Sequence, residues 1–233
     1  MPKLTPLQKL HNEVIGCQAC PRLRAYCQAV AETKRRSYQD EAYWGRPIPG
    51  FGEEKASLMI VGLAPAAHGG NRTGRIFTGD RSGDWLYRAL HKAGFANQPT
   101  SVARDDGLEL EDCYISCVVR CAPPDNQPAP DELARCSSYL EQEIRLLAHA
   151  RVYLALGGIA LQGLWPHIGP RTATGKLATR PKFGHGAKFE LQNGNRLLMS
   201  YHPSQQNTFT GRLTEPMFDS IFAEARMIIA EST

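Results

Sequence analysis

The 233 residues carry 27 Lys and Arg against 23 Asp and Glu, a formal charge of +4, and 42% of them are hydrophobic. That composition can bury a sizeable core and fits one globular domain over 1–233, while the modest charge permits a polyanionic partner without demanding one. No apolar run nears the ~20 residues of a membrane helix, and the opening Met-Pro-Lys-Leu-Thr-Pro lacks the charged-then-apolar layout of a secretory signal, so a cytoplasmic protein is expected.

Leu7, Leu10, Val14 and Ile15 have helical spacing, and Pro21 opens a second helical stretch to about Arg36. Trp44 to Gly52, rich in Pro and Gly, is a loop. Ser57 to Val61 reads as a buried strand that empties into a long polar run, Gly62-Leu-Ala-Pro-Ala-Ala-His-Gly-Gly-Asn-Arg-Thr-Gly-Arg-Ile-Phe-Thr-Gly-Asp80. A helix from about Ser82 to Ala93 follows, closed by Gly94. Tyr114 to Val119 is the next apolar run, broken by Ala122-Pro123-Pro124. Pro130-Asp131-Glu132 starts a helix to about His149, and Val152 to Leu156 is a strand ending at Gly157-Gly158 before a short helix to about Trp165. The segment 169–185 is basic and irregular. Asn193-Gly194 marks a hairpin between 188–191 and 196–199, and Thr214-Glu215-Pro216 opens a final helix carrying Met217, Ile221, Phe222, Ala225 and Ile228. Strands alternating with helices predict a three-layer α/β/α sandwich around a mainly parallel four-stranded sheet.

In such folds ligands bind at the carboxyl ends of the strands, where two polar loops are expected to meet. One is the run 62–80, in which His68, Asn71, Phe77 and Asp80 occur together. The other is Ser200-Tyr-His-Pro-Ser-Gln-Gln-Asn-Thr-Phe209, led by His202, with Pro203 limiting its backbone. His11, His91, His149 and His167 read as structural.

Seven cysteines are more than packing needs in a reducing compartment, and the odd number argues against complete disulfide pairing. Cys17 and Cys20 can reach one metal, and Cys121 and Cys136 can supply two more thiolates. Four such ligands fit either a tetrahedral zinc or an iron-sulfur cube. Cys27, Cys113 and Cys117 read as packing residues.

Taken together, the run 62–80, His202-Pro203-Ser204 with Asn207, the stretch Val119-Arg-Cys-Ala-Pro-Pro124 and the four cysteines resemble the uracil-DNA glycosylase superfamily, specifically its type 5 (type B) branch. The resemblance implies the sandwich already inferred, a structural [4Fe-4S] cluster on Cys17, Cys20, Cys121 and Cys136, and hydrolysis of the N-glycosidic bond of uracil in DNA by a repair enzyme, and nothing in the sequence requires more than a monomer. It implies that His202 donates to the base carbonyl, that Asp80 orients water or stabilises the sugar cation, and that Phe77 stacks on the flipped base. Ala64 and Asn207 complete the expected substrate-binding set.

Two departures from the wider family matter. Ala64 stands where other branches carry an aspartate, so catalytic weight passes to Asp80, with Asn126 as second candidate. Cys117 stands where relatives read the uracil edge with an asparagine, which predicts a broader range including deaminated purines. DNA contacts are expected from Asn71, Arg72, Arg75, Arg171, Lys176, Arg180, Lys182 and Arg212, with Gln205 to Phe209 as a wedge. A non-catalytic nucleic-acid-binding module with a metal centre is the main rival. A nucleotide-binding enzyme is poorly supported, because the run lacks both the P-loop and the G-x-G-x-x-G pattern.

Overall fold

A computed structural model describes residues 3–231; Met1 and Pro2, part of the start read above for a signal, lie outside the described residues. The helices are α1 (Pro6–Ile15), α2 (Pro21–Thr33), α3 (Gly70–Thr73), α4 (Arg81–Lys92), α5 (Pro130–Leu146), α6 (Gly158–Ile168), α7 (Gln205–Phe209) and α8 (Glu215–Glu231). The strands are β1 (Phe51–Gly52), β2 (Leu58–Gly62), β3 (Cys113–Cys117), β4 (Val152–Leu156), β5 (Lys188–Glu190) and β6 (Arg196–Ser200).

The strands form one sheet in the order β1-β3-β2-β4-β6-β5. Its four inner strands are parallel, as the sequence predicts, and the two short edge strands add antiparallel pairs. Strands β2, β3 and β4 are buried at every position, the mark of a parallel sheet covered on both faces. Side-chain alternation divides each strand between two cores. Met59, Val61, Tyr114, Tyr153 and Ala155 meet residues of α1, α2, α5 and α6 on one face; Leu58, Ile60, Ile115, Val152 and Leu154 meet α4 and α8 on the other.

Local chemistry sets the element ends. Thr5 and Gln8 form a capping box at α1, worth about 1 kcal/mol. Gly94, at φ +72°, ends α4, with the Phe95 N–H returning to the Leu90 carbonyl. Three expected boundaries shift: α2 stops at Thr33, α5 at Leu146, and α6 runs on to Ile168 through Pro166. The 188–200 hairpin turns over three residues, because Leu191 and Asn195 pair around Gln192, Asn193 and Gly194, the last at φ +82°.

From β2 the chain steps first to β3 on one side and then to β4 on the other. The carboxyl ends of β2 and β4 therefore diverge at a topological switch point, where this architecture opens a crevice.

Candidate active site

A cleft of about 510 Å³ opens at that switch point. Its walls come from the residues following three adjacent strands: Leu63, Ala64 and Ala66 after β2, Gly157 to Ala160 after β4, and His202 to Gln206 after β6. Phe77, Asp80 and Ser82 complete one side, and Asn126 reaches the rim from the loop before α5. Five expected site residues, Ala64, Phe77, Asp80, Asn126 and His202, thus line one cavity. Gly157, Gly158 and Ile159 were not among the expected site residues, although Gly157-Gly158 directly after a strand carries the same strand-end signal as the two polar loops.

Hydrogen bonds within the 62–80 segment, and from it to Glu41, Ser101 and Asp106, fix its path. Buried Arg75 donates to Thr78 Oγ1 at 3.0 Å, to Ser101 Oγ at 2.7 Å and to both oxygens of Asp106 at 2.7 and 2.8 Å. Arg72 spans His68 O, Gly79 O and the Glu41 carboxylate. This clamp fixes Phe77 at φ +52°, a conformation costly for a bulky L residue and found where structure over-determines the backbone. A Cβ on Gly62 would stand 2.9 Å from the Phe77 ring, so the strand end must be glycine for the ring to lie over it.

Asp80 has two duties. Its Oδ1 accepts from the Gly83 N–H at 3.0 Å, capping α4, while the carboxylate borders the cleft. Burial pushes its pKa above the ordinary carboxylate value, against the opposing pull of the backbone N–H groups of Gly83 and Ser82. A Cβ on Gly69 would lie 2.0 Å from Asp80 Oδ2, so only glycine leaves the carboxylate its place.

Across the cleft the His202 and Phe77 rings stack, with centroids 5.7 Å apart and 29° between planes. Burial drives the His202 pKa down to about 4, so the imidazole is neutral at physiological pH. Asn207 falls outside the cleft, against expectation: its Nδ2 donates to the His202 carbonyl at 2.8 Å, and its own carbonyl accepts from Leu213 N. It shapes the loop that carries His202. Cys117 is buried at the end of β3 and does not line the cleft.

The expected nucleic-acid contacts divide. Asn71, Arg72 and Arg75 turn inward, at 1%, 7% and 4% exposure, and serve the loop itself. That is a correction, and its cause is the buried acceptor set, Asp106, Ser101 and backbone carbonyls, which lies far away in sequence. Arg171, Lys176, Arg180, Lys182 and Arg212 are exposed, as is Phe209, against which the Arg81 guanidinium rests at 4.1 Å.

Cys20 at the head of α2, Cys121 after β3 and Cys136 in the second turn of α5 feel one another electrostatically, and Cys17 contacts Tyr139 of α5. Arg22 ties the same two helix starts together through a bidentate pair with Glu132 at 2.8 and 2.6 Å. Among the described residues no three His, Cys, Asp or Glu side chains stand close enough to share one metal ion. The backbone N–H of Arg120 donates to Cys136 Sγ at 3.3 Å, an arrangement that favours sulfur carrying negative charge. As a protonated thiol, Cys136 is pushed up to about 12 by burial. Such a thiol fits poorly as a free nucleophile.

The description of the Uracil DNA glycosylase superfamily matches residues 49–226. The chain is 54% identical over 221 residues to a type-5 uracil-DNA glycosylase of Mycobacterium bovis, covering 94% of this chain and 81% of that one. It is 49% identical over 213 residues to the type-5 enzyme of Thermus thermophilus, covering 91% and 94%, and 31% identical over 200 residues to the type-4 enzyme of Pyrobaculum aerophilum, covering 85% and 83%.

Proposed function

The chain belongs to the uracil-DNA glycosylase superfamily, and from that premise we propose that its cleft hydrolyses the N-glycosidic bond of uracil in DNA, leaving an abasic site. The observation that carries the reading is the convergence of Phe77, Asp80 and His202 on one cavity at the sheet's switch point.

In this reading the base leaves the stack and enters the cleft, where the Phe77 ring replaces part of the lost stacking. As the bond from C1′ to the base breaks, its electron pair stays on the base and the sugar becomes cationic. Neutral His202 donates a hydrogen bond to the base oxygen on which that charge collects, and the Asp80 carboxylate faces the cationic sugar. A water held by Asp80 or by Asn126 at the rim adds its oxygen to C1′. The proton it loses goes, through the carboxylate or solvent, to the departing base. Electrostatic stabilisation of this kind carries most of the chemistry, with about 3 to 4 kcal/mol per well-placed donor.

The substrate range is broader than uracil. Ala64, Ala66, Leu156, Gly157 and Ala160 make part of the wall apolar, and the side chain at the end of β3, Cys117, is buried outside the cleft, so no amide from that strand selects one base edge. Deaminated purines such as hypoxanthine fall within it.

Cys17, Cys20, Cys121 and Cys136 would hold a [4Fe-4S] cluster, which when bound cross-links the start of the chain to the core. None of the seven cysteines is paired in a disulfide, in keeping with work in the cytoplasm, and one chain supplies every cleft residue, so a monomer suffices. Among the described residues no helix is long and apolar enough to cross a membrane.

The test is an oligonucleotide with a single uracil, incubated with protein and treated with alkali to cut abasic sites. Strand cleavage that disappears in a folded His202→Ala variant is expected. Absence of cleavage by the folded native protein, on uracil and hypoxanthine alike, would put a non-catalytic binding module in its place.

A further inference from the structure

Helix α2 presents Cys20, Arg24 and Cys27 at helical spacing toward the loop that carries Arg120 and Cys121. Arg24 is 7% exposed and Arg120 2%, and buried cations need partners. Each has only part of what it needs. Arg24 gives Nη1 to the Gly45 carbonyl at 3.0 Å, while Arg120 gives Nη2 to Glu143, whose carboxylate also takes the hydroxyls of Tyr114 and Ser116.

Arg24 Nε, Arg120 Nε and Arg120 Nη1 then remain buried without any acceptor. Among the described residues only one other buried side-chain polar atom, Asn71 Oδ1, shares that condition. The orphaned donors are thus confined to two arginines, and both flank the cysteine set. Arg24 is within electrostatic reach of Cys121 and Arg120 of Cys136, and the Arg120 backbone N–H already serves Cys136 Sγ. Buried donors left unpaired are rare in native proteins, and several of them on arginines beside one group of thiols call for an anionic acceptor there.

We propose that Arg24, as counter-charge, and Arg120, as hydrogen-bond donor, serve an anionic metal-thiolate centre on Cys17, Cys20, Cys121 and Cys136, holding it in the core and raising its reduction potential. The inference rests on the cluster reading above. Four thiolates bring more negative charge than the iron-sulfide core they bind offsets, and an added electron makes the centre more negative still. Fixed cations nearby stabilise the reduced state more than the oxidised one, and net charge and hydrogen bonds to sulfur are the protein's means of setting such potentials. Glu143 balances the Arg120 charge while leaving its Nε and Nη1 as hydrogen-bond donors for the centre.

The experiment compares the native chain, Arg24→Gln and Arg24→Lys, purified anaerobically, for iron and sulfide content, visible absorbance, midpoint potential and rate of bleaching in air. The native chain should be brown, with iron and sulfide in equal amounts. Arg24→Gln should show a more negative potential and several-fold faster bleaching, or fold without retaining iron, and Arg24→Lys should recover much of the native potential. The double variant Arg120→Gln/Glu143→Gln leaves the net charge unchanged and removes the Arg120 N–H donors without stranding the carboxylate, and loss of those donors should shift the potential in the same direction. Equal loading, potential and bleaching rate in Arg24→Gln and the double variant would overturn the proposal. A folded native chain that binds neither iron nor sulfide would overturn the cluster reading itself.

Discussion

Phe77 and His202 belong to different loops, one following β2 and one following β6, yet their rings lie 5.7 Å apart with 29° between planes. The contact excludes water from the imidazole on one side. His202 titrates near 4 because burial penalises the cation, so its proton-donating form at neutral pH is the neutral tautomer. Removing the donor with His202→Ala should lower single-turnover uracil excision by about 10² to 10³-fold with little effect on DNA affinity.

The same shift makes a stability prediction. With a folded pKa below the unfolded value near 6.5, the unfolded chain binds the extra proton first as pH falls. Stability due to neutral His202 is full above about 6.5 and declines toward about 4. Denaturant titrations of the native chain and His202→Phe should diverge in slope across that window, with the native chain the more acid-sensitive.

Asp80 both caps α4 and borders the cleft, and three variants separate these duties. Asp80→Asn keeps a good cap and removes the charge, so excision should fall while thermal stability holds or rises, because a buried carboxylate with a raised pKa is a cost above its unfolded value. Asp80→Ala loses the cap as well, about 1 kcal/mol. Gly69→Ala leaves every reacting group in place but crowds Oδ2, and displacement of the carboxylate should slow excision about 10²-fold.

Arg75 looks like a phosphate contact in the sequence and is a structural clamp in the fold. Asp106, which burial alone would push up, is held below the usual carboxylate range by Arg75 and by the N–H groups of Val102, Leu108 and Ala103. Arg75→Met strands that carboxylate and should cost about 3 to 5 kcal/mol in denaturant unfolding, leaving the salt dependence of DNA binding unchanged. Arg180→Ala and Lys182→Ala should do the reverse where they meet phosphate, each reducing the slope of log K against log salt by about 0.9 without loss of stability.

With part of the cleft wall apolar and no amide from β3 to select one base edge, the native protein should release hypoxanthine as well as uracil. Purine release no faster than spontaneous loss, from the same duplex under single-turnover conditions, would restrict the cleft to uracil.

Much of this was legible in one chain. The inner strands appear as continuous apolar runs because both their faces are covered, and their order of appearance between helices sets a parallel sheet. Of the two edge strands, β5 was legible because Asn193-Gly194 punctuates a hairpin, whereas β1, two residues at the end of a stretch that reads as loop, is too short for any period to show and depends on β3 for its pairing. The two site loops were visible because polar, glycine-bearing segments directly follow strands, and Gly157-Gly158 would have joined them under the same rule.

Local sequence, then, determined the sandwich, the strand ends and the spacing of the cysteines, since periodicity, caps and chain punctuation are properties of neighbours. Tertiary structure alone decided the direction and partner of each polar side chain. Arg75 turns inward because Asp106 and Ser101 fold beneath it, Asn207 serves the His202 carbonyl instead of a ligand, and Arg24 and Arg120 end up beside the cysteines with donors to spare. A charge's partner is set by residues tens of positions away, and only the packed core brings them within hydrogen-bond distance.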